Sequence, residues 1–516
     1  MTIQSTPRMT SGNALLTIAF ALTTLTAAGV PPASAAPVAK VDGGRLSGAQ
    51  REGLTVWRGI PFAAAPVGEL RWRPPQPVKP WKGVRDATQP GAACPQPSLA
   101  YKEPTSEDCL TLNVWAPAEA KGAPVLLWFH GGGFVQNSGN NPSFDGTRLA
   151  QRGIIVVTSN YRLGALGLFA HPALTREAAR RKEPTGNYAT MDQIAALRWV
   201  RDNIAAFGGD PKNVTISGSS AGGTSSLVLT ASPAARGLFA KAIVHSSGGS
   251  NDVIGFAEAE KAGAGFAKML GVEGDDLAAL RAVPADRIVA ARGIPGAASR
   301  ALPQGSEAAR RFGEVRAAGS AEDLPLKPFI DGQLVTDQLD TNYERGAVAP
   351  IRLVIGATNG ESGGKGPVGD LIEARGSMAM SVPRADGVVK AGGEAFLFYF
   401  AYSPSGTPVR HGGAVPYAFG NLGQGSRSAL AGGARGGGAP DPAMLAAAET
   451  VSATVMDYLT TFMKTGTPAA EGRAAWEAYR PAAPKALAIE GAQPRLVPVR
   501  VVPGSKEAVR RAMSDR

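Results

Sequence analysis

Short apolar runs that read as buried strands alternate with stretches of helical composition over the first 250 residues, the order a mostly parallel sheet requires because parallel neighbours need a crossover between them. The clearest runs are Val125 to Phe129, Asn213 to Ser217 and Lys241 to His245, followed later by Ile351 to Gly356 and Ala395 to Tyr402. From about Asn251 to Leu326 the pattern turns helical and charged, with Gly271 to Ala291 the best amphipathic stretch, and it predicts a cap insertion. The sheet is expected to resume at Lys327 to Gly332. Residues 420 to 442 are dominated by Gly, Ala and Ser and predict a loop, and Met444 to Lys464 a long helix ended by Gly466 and Pro468. The fold class is therefore α/β, one mostly parallel central sheet with helices on both faces.

The first residues carry a single charge, Arg8, then an apolar run from Ala14 to Val30, Pro31-Pro32 and Ala33-Ser34-Ala35. That order predicts a secretory signal peptide over 1–35; the run is diluted by threonine and shorter than the about 20 residues a membrane span needs. Residues 36–503 then form a single domain and 504–516 a basic tail. The formal net charge of +11 is spread along the chain, with only short basic stretches at Arg180 to Lys182 and Lys506 to Arg511. No interleaving of aromatic and basic residues marks a nucleic-acid surface.

Chemistry concentrates at the ends of the strand-like runs. Asn213 to Gly223 reads NVTISGSSAGG, in which a strand runs straight into Gly218-Ser219-Ser220-Ala221-Gly222 and on into a helix. Such a turn holds its apical residue in a strained conformation and needs glycine two positions either side, which makes Ser220 the candidate nucleophile. Upstream, the strand ending at Phe129 opens into His130-Gly131-Gly132-Gly133-Phe134. Unshielded amides in such a loop suit the oxygen of a tetrahedral intermediate, so Gly132, Gly133 and Ala221 are assigned as an oxyanion hole. A P-loop would carry a following Lys-Ser/Thr, which this loop lacks.

A serine hydroxyl needs a base, and the chain has four histidines. His130 belongs to the glycine loop and is expected to brace it, His171 precedes Pro172 in what reads as a surface turn, and His245 ends an apolar run and reads as packed or hydrogen-bonded. His411, in a Gly/Pro-rich loop after Ala395 to Tyr402, is left as the base. In the chain order Ser, Asp/Glu, His, the acid follows another strand, and Glu361 stands just beyond Ile351 to Gly356; Asp370 and Glu373 read as solvated.

With these residues placed, the chain resembles the type B carboxylesterases, the family of cholinesterases and bacterial para-nitrobenzyl esterases, from about Val38 to residue 500. The likeness rests on ordered blocks: Arg58 to Trp81, Ser106 to Pro117, HGGGF, NYRLGALG (Asn160 to Gly167), Asp192 to Gly223, SPAARGLF (Ser232 to Phe239) and GATNGES (Gly356 to Ser362). It implies an α/β-hydrolase fold and a Ser220, His411, Glu361 triad that hydrolyses carboxylic esters through an acyl-enzyme, with no metal or organic cofactor. It further implies that Ser246 helps hold the triad carboxylate and that Arg71 and Glu107 form a structural ion pair. Cys94 and Cys109, the only cysteines, would pair in an exported protein, as they often do in this family.

Four departures bear on function. Ser219 stands where an acidic residue usually precedes the nucleophile, which argues against a choline ester; Gly412, Gly413 and Ala414 follow His411 where the third position is commonly glutamate; Gly360 and Ser362 flank Glu361 where Asp and Gly are usual. Only 50 positions separate Glu361 from His411, so a shortened lid is expected over about 362–394, with a more open gorge. The expected partner is a small-molecule ester, with no nucleic acid and no integral span after signal cleavage. The same residues would serve an amide or carbamate, and the fold also hosts silent binding members that have lost the serine. Acyl and alcohol preference and oligomeric state leave no signal in the chain.

Overall fold

In the computed structural model, Val125, Leu127 and Phe129 enter one apolar core while Leu126 and Trp128 enter another, so the strand that carries them is buried on both faces. That is the physical signature of a parallel sheet with helices on either side. The structure describes residues 37–97, 103–247, 253–292, 324, 327–361, 371–374, 377–422, 441–502 and 504. The predicted signal peptide, most of the cap after residue 292, most of the Gly-rich loop and most of the basic tail lie outside these residues.

Strands β1 (Val38–Val41), β2 (Gly44–Ser47) and β5 (Val84–Asp86) make a small sheet. The large one is built from β3 (Ala49–Arg51), β4 (Leu54–Pro61), β6 (Thr111–Pro117), β7 (Ala123–Phe129), β8 (Ile155–Ser159), β9 (Gly209–Ser219), β10 (Lys241–His245), β11 (Arg352–Thr358), β12 (Ile372–Ala374), β13 (Glu394–Phe400), β14 (Lys485–Ile489) and β15 (Arg495–Val501). Its order is β12-β15-β14-β13-β11-β10-β9-β7-β8-β6-β4-β3. Pairing is parallel from β8 through β7, β9, β10, β11 and β13 to β14, with antiparallel strands flanking that block on either side. Loops at the carboxyl ends of parallel strands share one edge, which is where such sheets place their sites.

The helix predicted at Met444 to Lys464 runs Pro442–Thr465, capped by the Asp441 carboxylate, which accepts from the Ala443 amide at 2.9 Å, and ended by Gly466 at φ 86°. The amphipathic stretch Gly271 to Ala291 holds two helices, Leu277–Ala282 and Ala285–Arg292. Pro284 explains the break: it offers no amide and forces the preceding Val283 into an extended conformation, at φ −61° and ψ 125°. Lys327 to Gly332 does not resume the sheet; Ile330 makes only an isolated bridge to Gly255, and the next sheet strand is β11. The segment 362–394, expected as a lid, contains the helix Ser377–Lys390, which packs on β11 and β13 as the crossover their parallel pairing requires.

Candidate active site

Strand β9 ends at Ser219 and the helix Ala221–Ala231 begins at once, leaving Ser220 alone to make the turn. Its backbone sits at φ 58° and ψ −123°, a conformation costly for any residue with a Cβ. The surroundings hold it there: the Ser220 amide donates to the His245 carbonyl at 3.1 Å, and its carbonyl accepts from the Thr224 amide at 2.9 Å. The glycines on either side are steric necessities. A Cβ at Gly218 would lie 2.3 Å from the Gly222 carbonyl carbon, and one at Gly222 would lie 2.0 Å from the Phe129 oxygen.

The loop after β7 lies against this turn, since a Cβ at Gly131 would come within 2.6 Å of the Ser219 oxygen and 3.2 Å of Ser220 Cβ. Gly132 and Gly133 adopt φ 115° and 63°, and Phe134 follows at 62°. The Gly132 carbonyl accepts from the amides of Val135 and Gln136 at 3.1 and 3.2 Å, which turns the peptide into the loop. His130 braces the bend. Its Nδ1–H donates to the Gly131 carbonyl at 2.9 Å, and its ring stacks on Tyr161 at 4.3 Å between centroids. Full burial lowers the His130 pKa to about 4, so the ring is neutral near pH 7. Tyr161, whose hydroxyl donates to the His130 carbonyl at 2.7 Å, was not foreseen from the sequence; the NYRLGALG block carried it without a hint of its role.

The acid and base loops leave β11 and β13, whose last residues Thr358 and Phe400 are register partners. The two loops are clasped. The Gly360 amide donates to the Val409 carbonyl at 2.9 Å, and the Val409 amide donates to Asn359 Oδ1 at 2.7 Å. Across the clasp, His411 Nδ1 lies 3.3 Å from Glu361 Oε2. The Glu361 side chain is 3% exposed and that of His411 is 48%, so the carboxylate is fixed inside while the imidazole faces out. The other oxygen, Oε1, accepts from the Thr358 amide at 3.2 Å and the Thr358 hydroxyl at 3.1 Å. The Glu361 charge is felt by Tyr399, whose pKa is raised first by burial and then by that carboxylate. The His411 loop also approaches the elbow: a Cβ at Gly412 would sit 3.9 Å from Ser219 Oγ.

Two other histidines resolve differently. His171 is buried, not on a surface turn; its Nδ1 accepts from the Ala173 amide at 3.2 Å and caps the helix Pro172–Arg181. His245 packs between Trp128 and Phe398, and burial lowers its pKa to about 4. Ser246, expected to hold the carboxylate, has φ 48° and a buried hydroxyl without a hydrogen-bond partner among the described residues. Its backbone amide is drawn to the Gly356 carbonyl at 2.8 Å, and the carboxylate is held from Thr358. Arg71 and Glu107 do form a largely buried pair, Nε to Oε1 at 2.7 Å, and Arg71 also donates to the Arg281 carbonyl at 2.7 Å. Cys94 and Cys109 are disulfide-bonded.

Strained residues other than glycine mark the same edge, with Phe134 after β7, Ser220 after β9 and Ser246 after β10, on three neighbouring strands. A serine at a tight turn, a glycine loop packed against it and an imidazole 3.3 Å from a carboxylate are groups of the kind that acyl transfer uses. The sequence profile described as "Carboxylesterase family" matches residues 34–377, so His411 lies beyond the matched part. The para-nitrobenzyl esterase of Bacillus subtilis (strain 168) is 39% identical over 328 residues, 62% of this chain and 61% of that protein. The fumonisin B1 esterase of Sphingopyxis macrogoltabida is 38% identical over 311 residues, 59% of this chain and 52% of that protein. The chain thus aligns with about half to three fifths of the length of these curated relatives. Among solved structures, a para-nitrobenzyl esterase superposes with a TM-score of 0.73 at 28% identity, covering 92% of this chain and 98% of that one. A Geobacillus stearothermophilus carboxylesterase does so with a TM-score of 0.71 at 30% identity, covering 91% and 99%. The fold is accordingly the one these enzymes share, and the chain belongs to the carboxylesterase family.

Proposed function

We propose that this chain is an exported serine hydrolase of carboxylic esters, with Ser220 as nucleophile, His411 as general base and acid, and Glu361 as the residue that orients it. The observation that carries the reading is Ser220, alone at a strained strand-to-helix turn against a glycine loop, with the His411–Glu361 pair on the same sheet edge. In this reading His411 keeps its proton on Nδ1, toward Glu361, which leaves Nε2 to take the hydroxyl proton as Ser220 attacks the carbonyl. The amides of Gly132, Gly133 and Ala221 receive the oxyanion; Ala221 opens its helix, where first-turn N–H groups have no acceptor within the helix. His411 then protonates the departing alcohol, and water repeats the sequence on the acyl-enzyme.

The half-exposed His411 ring supports an accessible site and acceptance of bulky esters. Relatives named a fumonisin B1 esterase and a phenmedipham hydrolase fit a family that acts on more than one kind of substrate. Export is supported by the N-terminal sequence pattern and by the Cys94–Cys109 disulfide, a bond that persists in oxidising compartments. Among the described residues no helix is long and apolar enough to cross a membrane.

The test is turnover of a short-chain nitrophenyl ester by the purified protein beside Ser220→Ala and His411→Ala. Each variant is expected to lose a factor of about 10⁴ or more in kcat. Turnover unchanged in Ser220→Ala would reject the mechanism, and N-terminal sequencing of exported protein that starts at Met1 would reject the signal peptide.

A further inference from the structure

The Glu361 carboxylate must keep Oε2 on His411 while its side chain is nearly fully buried, and something has to fix its rotation. The neighbour expected to do so, Ser246, presents a hydroxyl that makes no hydrogen bond among the described residues. Thr358 stands at the last position of β11, three residues before Glu361, and reaches Oε1 twice, from its amide at 3.2 Å and its hydroxyl at 3.1 Å. The same hydroxyl lies 3.3 Å from the Arg410 carbonyl, one residue before His411. A hydroxyl has one proton to give, and a carboxylate is the stronger acceptor of the two.

We propose that Thr358 is a positioning residue of the triad, seating the Glu361 carboxylate through its hydroxyl. Buried and bonded to Glu361 Oε1, it acts through that carboxylate. The backbone contact from its amide would survive replacement by Val or Ser, so the hydroxyl is what the side chain adds. The identity of the residue is then constrained to Thr or Ser by chemistry, while Val would fill the same buried space without the donor.

The kinetic arm of the test rests on the hydrolase reading above, and a crystallographic arm does not. Thr358→Val should lower kcat for a nitrophenyl ester by about ten- to a hundredfold with KM unchanged, the size expected for losing a hydrogen bond to a charged group. Thr358→Ser, which restores the hydroxyl, should recover most of that loss, whereas a side chain needed only for packing would be hurt more by Ser than by Val. A crystal structure of Thr358→Val should show the Glu361 carboxylate rotated away from His411 Nδ1. The proposal is overturned if Thr358→Val keeps wild-type kcat, if Ser246→Ala takes the loss in its place, or if the carboxylate stays seated in the variant crystal. A wild-type chain that turns over no ester removes the hydrolase reading instead, and the crystal structure still decides the Thr358 contact.

Discussion

Arg162 grips Asp192 with both prongs of its guanidinium, Nε to Oδ2 and Nη2 to Oδ1 at 2.8 Å each, and the Arg162 amide adds a third bond to Oδ2 at 3.0 Å. Asp192 is completely buried. The pair ties the segment after β8 to the helix Tyr188–Asn203, and Arg162 reaches on to the Arg73 carbonyl at 2.9 Å.

Removing one partner strands the other charge in a dry interior. Asp192→Asn should therefore destabilise the protein by about 3–5 kcal/mol, read by denaturant unfolding. The double replacement Arg162→Met with Asp192→Leu is expected to cost less than the single one, because no uncompensated charge remains; a double variant worse than the single would contradict this account.

The elbow glycines should be intolerant where an ordinary turn glycine is not. Gly222→Ala gains helix propensity worth about 1 kcal/mol, yet its methyl would meet the Phe129 oxygen at 2.0 Å. We expect net destabilisation on the order of 3 kcal/mol and a drop in turnover of about a hundredfold or more, since the strain must move Ser220 or the glycine loop. Gly237, at φ 76° with open space around its missing Cβ, is the control: Gly237→Ala should cost about 1 kcal/mol and leave turnover intact.

Acid should weaken the fold through two buried histidines. His130 and His245 titrate at about 4 in the folded chain, below the unfolded value near 6.5, because burial disfavours the imidazolium. Above pH 6.5 both states hold the rings neutral and no difference arises. As pH falls from 6.5 toward 4 the unfolded chain binds protons that the folded chain refuses, so stability is lost across that window, to the order of 3 kcal/mol per ring at full extent. Unfolding midpoints measured from pH 7.5 to 4 should fall, and His245→Phe should fall less steeply; identical slopes would sink the assignment.

The disulfide between Cys94 and Cys109 closes a loop of about 16 residues, for which chain entropy predicts about 3 kcal/mol. Replacing both cysteines by alanine should lower the unfolding free energy by about that amount. A loss much smaller would mean that the network where Glu103 accepts from Ser138 Oγ at 3.0 Å already pins the loop.

Much of this molecule was written locally. Strand identity followed from runs such as Val125 to Phe129, because a strand buried on both faces has to be apolar throughout, and the elbow followed from glycine spacing, because steric exclusion acts over four residues. The end of the long helix was marked by Gly466, which closes it at φ 86°. What the sequence alone misjudged depended on contacts between distant segments. His171 looked exposed beside a proline but is buried, and 377–390 looked like lid but crosses behind two parallel strands. The partner of the Glu361 carboxylate was a matter of angle: Ser246 follows β10 and Thr358 ends the neighbouring β11, and only the packed sheet turns the threonine hydroxyl toward Oε1. Residue type and spacing specify which groups are available, whereas hydrogen bonding is directional over about 3 Å, so which of them meet is decided only when the chain has folded.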